Sequence, residues 1–550
     1  MHVREPVVAG QSLALSNTIP IAPAPIARTK PPISQSILLQ WLAPDVALTF
    51  AMLTLLALFF MFDGAHTLFG DSDTGWHIRT GEQILASRQL PRADPYSFSK
   101  PGQPWVAWEW ASDVLMGAVF RLSGLAGVAL LYGISIAAAV WMWFRLNRAV
   151  AGNFLLSFLF FVPLVSTTGL HWLARPHLFS WLFLIATVWL CEQMPERMPR
   201  HRRLRDLFLI AAGTALWANL HASFFLAPVI ALIYATGAAL KPFIWDCGED
   251  RPEDERPHVD GLPQVRNFLW MALAAFVGSL ANPGGWRLHR HVVSYLLDSA
   301  LLDRISEFQS FNFHQDGALR VMLTLAICAA GAFAALSAGK PARFLLSLLL
   351  LGMALRSVRA LPVAALLLLP LANGSLTTVL NGARGLAPAL RRNLDGVLAY
   401  GGRLQAIDLN LRGWAMAPLV AILVFTSVRA SAGFAPDAAP VAAATAIASL
   451  PPGARILAPD FFGGYLIYRF NGRRKVFFDG RSDFYGKEFL DGYLRMVETR
   501  PGWRIEFNRW NFTHVLMPPD CSLIPALEAS GWHELFRDRT AVLLAGSSPL

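Results

Sequence analysis

Charge is what this chain has least of. Only 15% of its 550 residues are Asp, Glu, Lys or Arg, against roughly 25% in soluble globular proteins. Too little charge is available to coat a water-facing surface, which excludes a soluble enzyme and a disordered chain. Lysine is scarcer still, at six of 47 basic residues. Cysteine is limited to Cys191, Cys247, Cys328 and Cys521, with neither metal-ligand spacing nor evident pairing, so neither a disulfide scaffold nor a zinc site is expected. No repeat of 20–50 residues stands out. The net charge of +10 lies in short clusters between apolar runs rather than along a stripe. That is topology charge, and no nucleic-acid partner is expected.

Apolar residues are what the chain has in excess. They make up 54%, with 37 Phe and 18 Trp, and the mean hydropathy is +0.42. This composition predicts a polytopic α-helical membrane protein. Residues 1–40 are polar and Pro-rich, with no apolar run suited to a signal peptide, and read as a disordered cytoplasmic tail. Residues 41–430 read as a transmembrane domain with an outer loop at 70–111. Apolar runs at 46–62, 124–144, 154–170, 176–192, 207–218, 222–240, 267–281, 318–337, 344–355, 361–380 and 413–430 are candidate spans. The stretch 207–240 is either one helix or two broken at Trp217-Ala-Asn-Leu-His221; counted as two, it gives about 11 crossings.

Residues 431–550 regain ordinary charge and turn chemistry and read as a small α/β domain. Strands are expected at Arg455-Ile-Leu-Ala, Lys475-Val-Phe-Phe-Asp479, Thr513-His-Val-Leu-Met517 and Ala541-Val-Leu-Leu, with helices near 486–497 and 521–530, which suggests a partly parallel sheet. With the N-terminus inside, the inner connections hold 21 Lys and Arg and the outer ones, apart from the C-terminal domain, hold 12. The cluster Arg197, Arg200, Arg202, Arg203 and Arg205 fits the inner side. The bias predicts a cytoplasmic N-terminus and an extracytoplasmic C-terminal domain.

Polar groups at membrane depth are expensive, so their positions are informative. On this topology they gather at one face: Asp71, Asp73 and His77; Glu109 and Asp113; His171, Arg175 and His177; Asn219 and His221; Asn282; Glu307 and Gln309; Arg356 and Arg359. Carboxylates beside a bilayer deprotonate a hydroxyl or hold a metal. Arginines suit phosphate, and Arg175, Arg356 and Arg359 run against the positive-inside bias. Histidines donate to phosphoryl oxygens or shuttle protons. The mixture describes group transfer from a lipid-linked donor.

Each element also has a plainer reading. Asp73 can cap a helix beginning near Thr74, leaving Asp71 solvated. Glu109 and Asp113 are i,i+4 neighbours that suit a solvated interfacial face. Arg175-Pro-His177 can simply open a span, and Asn219 with His221 can satisfy a helix break. Arg356 and Arg359 can reach headgroups. Gly463-Gly464 and Asp479-Gly-Arg-Ser-Asp483 read first as turns, the second also as a loop able to contact sugar.

Three stretches carry a resemblance: Asp71-Ser-Asp-Thr-Gly-Trp-His-Ile-Arg-Thr-Gly-Glu82, Pro91-Arg-Ala-Asp-Pro-Tyr-Ser-Phe-Ser99 and Trp105-Val-Ala-Trp-Glu-Trp110. Further segments extend it through Trp217–His221, Asn282-Pro, Arg356-Ser-Val-Arg359 and Phe478–Asp483. The chain resembles bacterial multi-spanning proteins of the GT-C glycosyltransferase superfamily, near the polyprenyl-phosphate-sugar-dependent mannosyl- and arabinosyltransferases. The resemblance implies an inverting transferase at the outer face of the inner membrane. It implies an acidic residue of the first outer loop, Asp71 or Asp73, as base or acceptor-positioning group, and Arg356 or Arg359 on the donor phosphate.

The combined reading takes Asp73 and Asp71 as catalytic. Arg356, Arg359 and Arg175, with His177 or His221, bind the donor phosphate, and Glu109, Asp113 and Glu307 contact acceptor or sugar. Asp71, Asp73 and His77 form a candidate set for a divalent cation, Mg or Mn. The partners expected are a polyprenyl-phosphate sugar, a lipid, glycan or protein acceptor, and the membrane. A transporter or flippase of a lipid-linked or anionic solute, with midplane sites and inverted halves, and a non-catalytic envelope-assembly protein are the rivals.

Overall fold

The computed structural model describes residues 41–195, 200–245, 261–383, 385–411 and 413–546. The tail expected at 1–40 and Arg197 of the basic cluster lie outside the described residues. The remainder is mostly helical, with a small sheet near the C-terminus. In chain order the principal helices are α1 (Val46–Phe60), α2 (Asp73–Ser87), α3 (Trp110–Ala149), α4 (Phe154–Thr168), α5 (His177–Glu192), α6 (Arg200–Leu220) and α7 (Leu226–Ile244). They continue as α8 (Gly261–Ser279), α9 (Trp286–Leu297), α10 (Ala318–Ser337), α11 (Pro341–Arg356), α12 (Leu361–Gly382), α13 (Pro388–Asp408) and α14 (Met416–Val428).

Among the described residues, five helical stretches are long and apolar enough to cross a membrane: Trp110–Ala149, Phe154–His171, Ala222–Ile244, Ala318–Ser337 and Val358–Gly382. Val46–Phe60, His177–Glu192 and Met416–Val428 are apolar but shorter. The chain is thus built as a multi-pass membrane protein. The apolar runs at 207–218, 267–281 and 344–355 fall in α6, α8 and α11, which are not among the long apolar helices. Basic residues occupy part of each, such as Arg202 and Arg205 in α6, Arg266 in α8 and Arg343 in α11. Length and apolarity together support five of the expected 11 spans among the described residues.

Local chemistry explains the helix boundaries. The Asp45 carboxylate caps α1 by accepting from the Leu48 amide at 2.9 Å, and its other oxygen meets Arg145 Nη2 of α3 at 2.5 Å. A capped, charge-paired start avoids bare backbone donors in a dry environment. Asn153 caps α4 in the same way, accepting from the Leu155 amide at 3.0 Å. The span expected from residue 124 has a physical edge there. Gly124 adopts φ 64° and ψ −157° inside α3, a left-handed conformation that glycine reaches without a Cβ clash. At 207–240 there are two helices: His221 is extended (φ −163°, ψ 147°) between α6 and a short turn leading into α7.

The C-terminal sheet has the order β1-β2-β4-β3, with β1 (Ile456–Leu457), β2 (His514–Met517), β3 (His533–Arg537) and β4 (Val542–Ala545). β1 pairs parallel with β2, while β4 pairs antiparallel with β2 and β3. The mixed sheet agrees with the sequence; one of its strands does not. Lys475–Asp479 is not in it. Val476 instead pairs with the loop between α2 and α3, donating to the Tyr96 carbonyl at 3.0 Å and accepting from the Phe98 amide at 3.0 Å. The fourth strand is β3, which carries mostly exposed side chains and so lacks the apolar run that marks buried strands.

Gly463 and Gly464 are not a turn either. They lie in α15 (Asp460–Arg469), whose backbone is pressed against the start of α2. A Cβ on Gly75 would fall 2.2 Å from the Gly464 carbonyl oxygen, and one on Gly464 would fall 2.1 Å from that of Ser72. Only hydrogens fit at this crossing. The C-terminal segment is thereby packed directly onto the helix that carries Asp73.

Candidate functional site

Helix ends and short turns supply the polar side chains. Asp73 is the first residue of α2, and its amide donates to Asp71 Oδ1 at 2.9 Å. Arg175 immediately precedes Pro176, the N-cap of α5. Glu307 lies in the turn Ser306–Phe308, and Arg359 in the turn Val358–Ala360 that joins α11 to α12. These two turns are tied together: the Val358 amide donates to the Gln309 carbonyl at 2.9 Å, and Ser357 Oγ to the Glu307 carbonyl at 2.8 Å.

A cavity of about 1010 Å³ is lined by Asp71, Asp73, Glu109, Asp113, Arg175, His177, His221, Glu307, Arg356 and Arg359. Every candidate catalytic, phosphate-binding and sugar-binding residue read from the sequence therefore reaches one space. His77 does not line it. Part of the wall is apolar, with Leu302, Ile305, Met353 and Val363. That mixture suits a ligand with a polar head and an aliphatic portion.

Arg175 organises the acidic groups. Its Nη1 lies 2.6 Å from Asp71 Oδ2 and 2.9 Å from Glu307 Oε1, and its Nη2 lies 3.1 Å from Asp73 Oδ2. Glu307 also meets Arg359 Nη1 at 3.3 Å. Asp71 is thus not a solvated loop residue. Burial alone would lower the Arg175 pKa, but Asp71, Glu307 and Asp73 together hold it well above its ordinary value. Burial would likewise raise Glu307, yet Arg175 and Arg359 pull it down to about 2. Asp73 goes the other way: burial and the neighbouring Asp71 charge raise it well above the usual carboxylate range. Arg356 is exposed and has no ion pair among the described residues.

A second group lies beside the first. His77 Nδ1 meets Asp113 Oδ1 at 2.6 Å, and its Nε2 is 3.7 Å from Glu109 Oε2. The other Glu109 oxygen is 3.6 Å from His221 Nε2. Glu109 and Asp113 are buried rather than solvated. Burial raises Glu109 to about 8 and lowers His221 well below the usual imidazole value, helped by Arg359. His221 Nδ1 pairs with Ser180 Oγ at 2.8 Å. His177 Nε2 donates to the His171 carbonyl at 3.0 Å. Asn219 follows its plainer reading: it accepts from Trp110 Nε1 and donates to the Ala215 and Ala281 carbonyls.

The cation set expected of Asp71, Asp73 and His77 is not assembled, because His77 is turned into its pair with Asp113. Among the described residues, no group of three or more His, Cys, Asp or Glu side chains converges as metal ligands. Asp71, Asp73 and Glu307 do converge, but on the Arg175 guanidinium. The donor set fits that cation rather than a divalent ion.

Several lining residues escaped the sequence reading. Asp460 opens α15, and burial raises its carboxyl to about 6. His291 and Tyr295 form another wall, together with Trp108 and with Asp483 of the loop read as able to contact sugar. The pattern Trp-Arg-Leu-His-Arg-His of α9 was the available signal for His291. Asp483 belongs to the Asp479–Asp483 loop, whose other charges are structural. Arg481 is buried between Asp479 Oδ2 at 2.7 Å and Asp94 Oδ1 at 2.8 Å, with its guanidinium 4.6 Å from the Trp105 ring centre.

No protein-family model and no curated protein matches this chain. Among solved structures it is similar to the Archaeoglobus fulgidus oligosaccharyltransferase in the apo form, with TM-score 0.48 and 11% identity over 86% of this chain and 69% of that one. It is similar also to that protein in complex with Zn and sulfate, with TM-score 0.48 and 12% identity over 86% and 68% of the two chains.

Proposed function

We propose that this protein is a GT-C-type glycosyltransferase that moves a sugar from a polyprenyl-phosphate donor to a lipid, glycan or protein hydroxyl at the outer face of a bacterial inner membrane. The observation that carries the reading is the one cavity in which an acid of raised proton affinity, Asp73, and Arg356, a guanidinium with no ion pair among the described residues, share walls with aliphatic side chains. An acceptor hydroxyl attacks the anomeric carbon and the bond to the phosphate oxygen breaks, inverting the centre. Asp73 takes the hydroxyl proton, a role that suits a carboxylate of raised pKa. Asp71 orients it through the Asp73 amide and Arg175.

Arg356 and Arg359 neutralise the charge that develops on the leaving phosphate. Arg175 adds positive potential while its own hydrogen bonds go to carboxylates, with His177 and His221 on the same wall. Glu109, carrying its proton, offers a donor to a sugar or acceptor hydroxyl. Asp113 positions His77, and Glu307 spaces the two arginines.

The architecture proposed around this site keeps residues 41–430 as the membrane domain and 431–550 as an extracytoplasmic domain that orients the acceptor, with the N-terminus cytoplasmic. Many lining residues stand at helix ends: Asp73 at the start of α2, Glu109 before α3, His177 at the start of α5, His221 after α6 and Arg356 at the end of α11. That favours a site at one membrane face over the midplane site of a transporter.

The test is release of free polyprenyl phosphate from a labelled polyprenyl-phosphate sugar by purified protein in lipid, with membrane extract supplying acceptors. Asp73→Asn is the informative variant, because it leaves Asp71 and Glu307 on Arg175. We expect release to fall at least about 100-fold, the scale of general-base catalysis. Undiminished release in folded Asp73→Asn protein would overturn the assignment.

A further inference from the structure

One part of the cavity wall, formed by Trp108, His291, Tyr295 and Asp483, has no part in the mechanism above. Asp483 Oδ2 accepts from two rigid donors at once, Trp108 Nε1 at 3.3 Å and His291 Nε2 at 3.0 Å. Its second oxygen, Oδ1, takes no hydrogen bond among the described residues, although Asp483 lines the cavity. Tyr295, one turn along α9 from His291, holds Ser482 by a 3.2 Å contact between hydroxyls. Two separate parts of the chain, the Trp108 segment and α9, thus fix one carboxylate with one oxygen left over. A carboxylate held this way is pre-organised to accept from a ligand.

The aromatic side chains here differ in occupancy. Trp105 has the Arg481 guanidinium 4.6 Å from its ring centre and Trp76 edge-on at 6.1 Å. Among the described residues, the ring contacts of Trp108 are the tilted imidazoles of His221 and His291, at 6.4 and 6.3 Å. An available indole beside a free carboxylate oxygen and a hydroxyl is the chemistry that holds a pyranose, whose C–H face packs on the ring while its hydroxyls donate to the acid. The distance also suits. A Cβ on Gly480 would fall 2.0 Å from Asp73 Oδ1, so Gly480 touches the reaction centre. Three residues of chain span at most about 11 Å, which keeps Asp483 in the same part of the cavity as Asp73.

We propose that Trp108, Asp483, His291 and Tyr295 form a sugar-ring subsite, with Asp483 Oδ1 accepting from ring hydroxyls and Trp108 stacking on the ring. This rests on the glycosyltransferase reading and adds the residues that select the sugar. The ring belongs to the donor or to the acceptor, and binding separates the two.

Wild type, Asp483→Asn, Trp108→Leu and Arg356→Ala are placed in lipid nanodiscs and checked for an unchanged elution profile and melting temperature. Binding is measured for farnesyl phosphate, for farnesyl-phosphoryl mannose and glucose, and for the two methyl glycosides. A fall of about 10-fold or more for a sugar-bearing farnesyl ligand in Asp483→Asn and Trp108→Leu, with farnesyl phosphate unchanged, supports a donor-sugar subsite. The same fall for a methyl glycoside alone supports an acceptor-sugar subsite. Arg356→Ala is expected to weaken every farnesyl ligand, including the one without sugar. If it does so while the Asp483 and Trp108 variants bind every sugar probe as wild type does, the subsite is wrong and the lipid-phosphate reading survives. Wild type that binds none of the probes would overturn both.

Discussion

Arg175 Nη1 lies 2.6 Å from Asp71 Oδ2, so the loop before α2 is held by a cation 104 residues further along the chain. The same guanidinium reaches Asp73 and Glu307. Its first role is therefore to let three carboxylates, one buried and two half-buried, lie side by side, and only then to act on a ligand.

Removing that cation is expected to be costly. Arg175→Met leaves three carboxylates facing one another, and breaking a buried pair from one side costs about 3–5 kcal/mol. Chemical denaturation in detergent should show a loss of that order, with Arg175→Lys intermediate because it keeps the charge but not the planar fork. Unchanged stability in Arg175→Met would mean that the acids are neutral without it.

Gly480→Ala tests the contact between the C-terminal segment and Asp73. The new Cβ would sit 2.0 Å from Asp73 Oδ1, so the carboxylate must move. A displacement of about 1 Å commonly costs around 100-fold in rate. Polyprenyl-phosphate release should fall by that order while the protein keeps its elution profile; wild-type rates would show that Asp73 needs no fixed position.

Glu109 predicts a pH signature. Its carboxyl is raised from 4.5 to about 8, so the folded protein binds this proton more tightly than the unfolded chain. The stabilisation is complete below about pH 4.5 and is lost as pH rises through about 8. Melting temperature should fall between pH 5 and 8.5 more steeply in wild type than in Glu109→Gln. Parallel curves for the two proteins would refute a protonated Glu109.

Arg481 is expected to act on stability rather than on ligand binding. It lies between Asp94 and Asp479, all three side chains almost wholly buried, and joins the loop before α3 to the C-terminal segment. Arg481→Met should cost about 3–5 kcal/mol and expose the 90–105 loop to protease. A variant that melts and resists cleavage as wild type does would remove this fastening role.

The sequence alone determined where the apolar helices run, because the free energy of placing a segment in lipid sums over neighbouring residues and needs no knowledge of the rest of the fold. It also determined which polar residues are anomalous, since Arg175, Arg356, Glu109 and Asp73 interrupt or border those runs. β1, β2 and β4 were legible as short buried apolar runs. Tertiary structure alone decided who meets whom. Glu307 and Arg175 are 132 positions apart, and no local pattern encodes a 2.9 Å approach over that separation. It also decided that Lys475–Asp479 pairs with the Tyr96 loop rather than with the sheet, because a lone strand joins whichever unpaired backbone reaches it. Gly463 and Gly464 look like a turn until Gly75 is seen against them; only the crossing of two backbones gives the missing side chains a purpose. His77 shows the same limit, since a ligand and a buried ion-pair partner share one residue type and differ only in what the fold sets beside them.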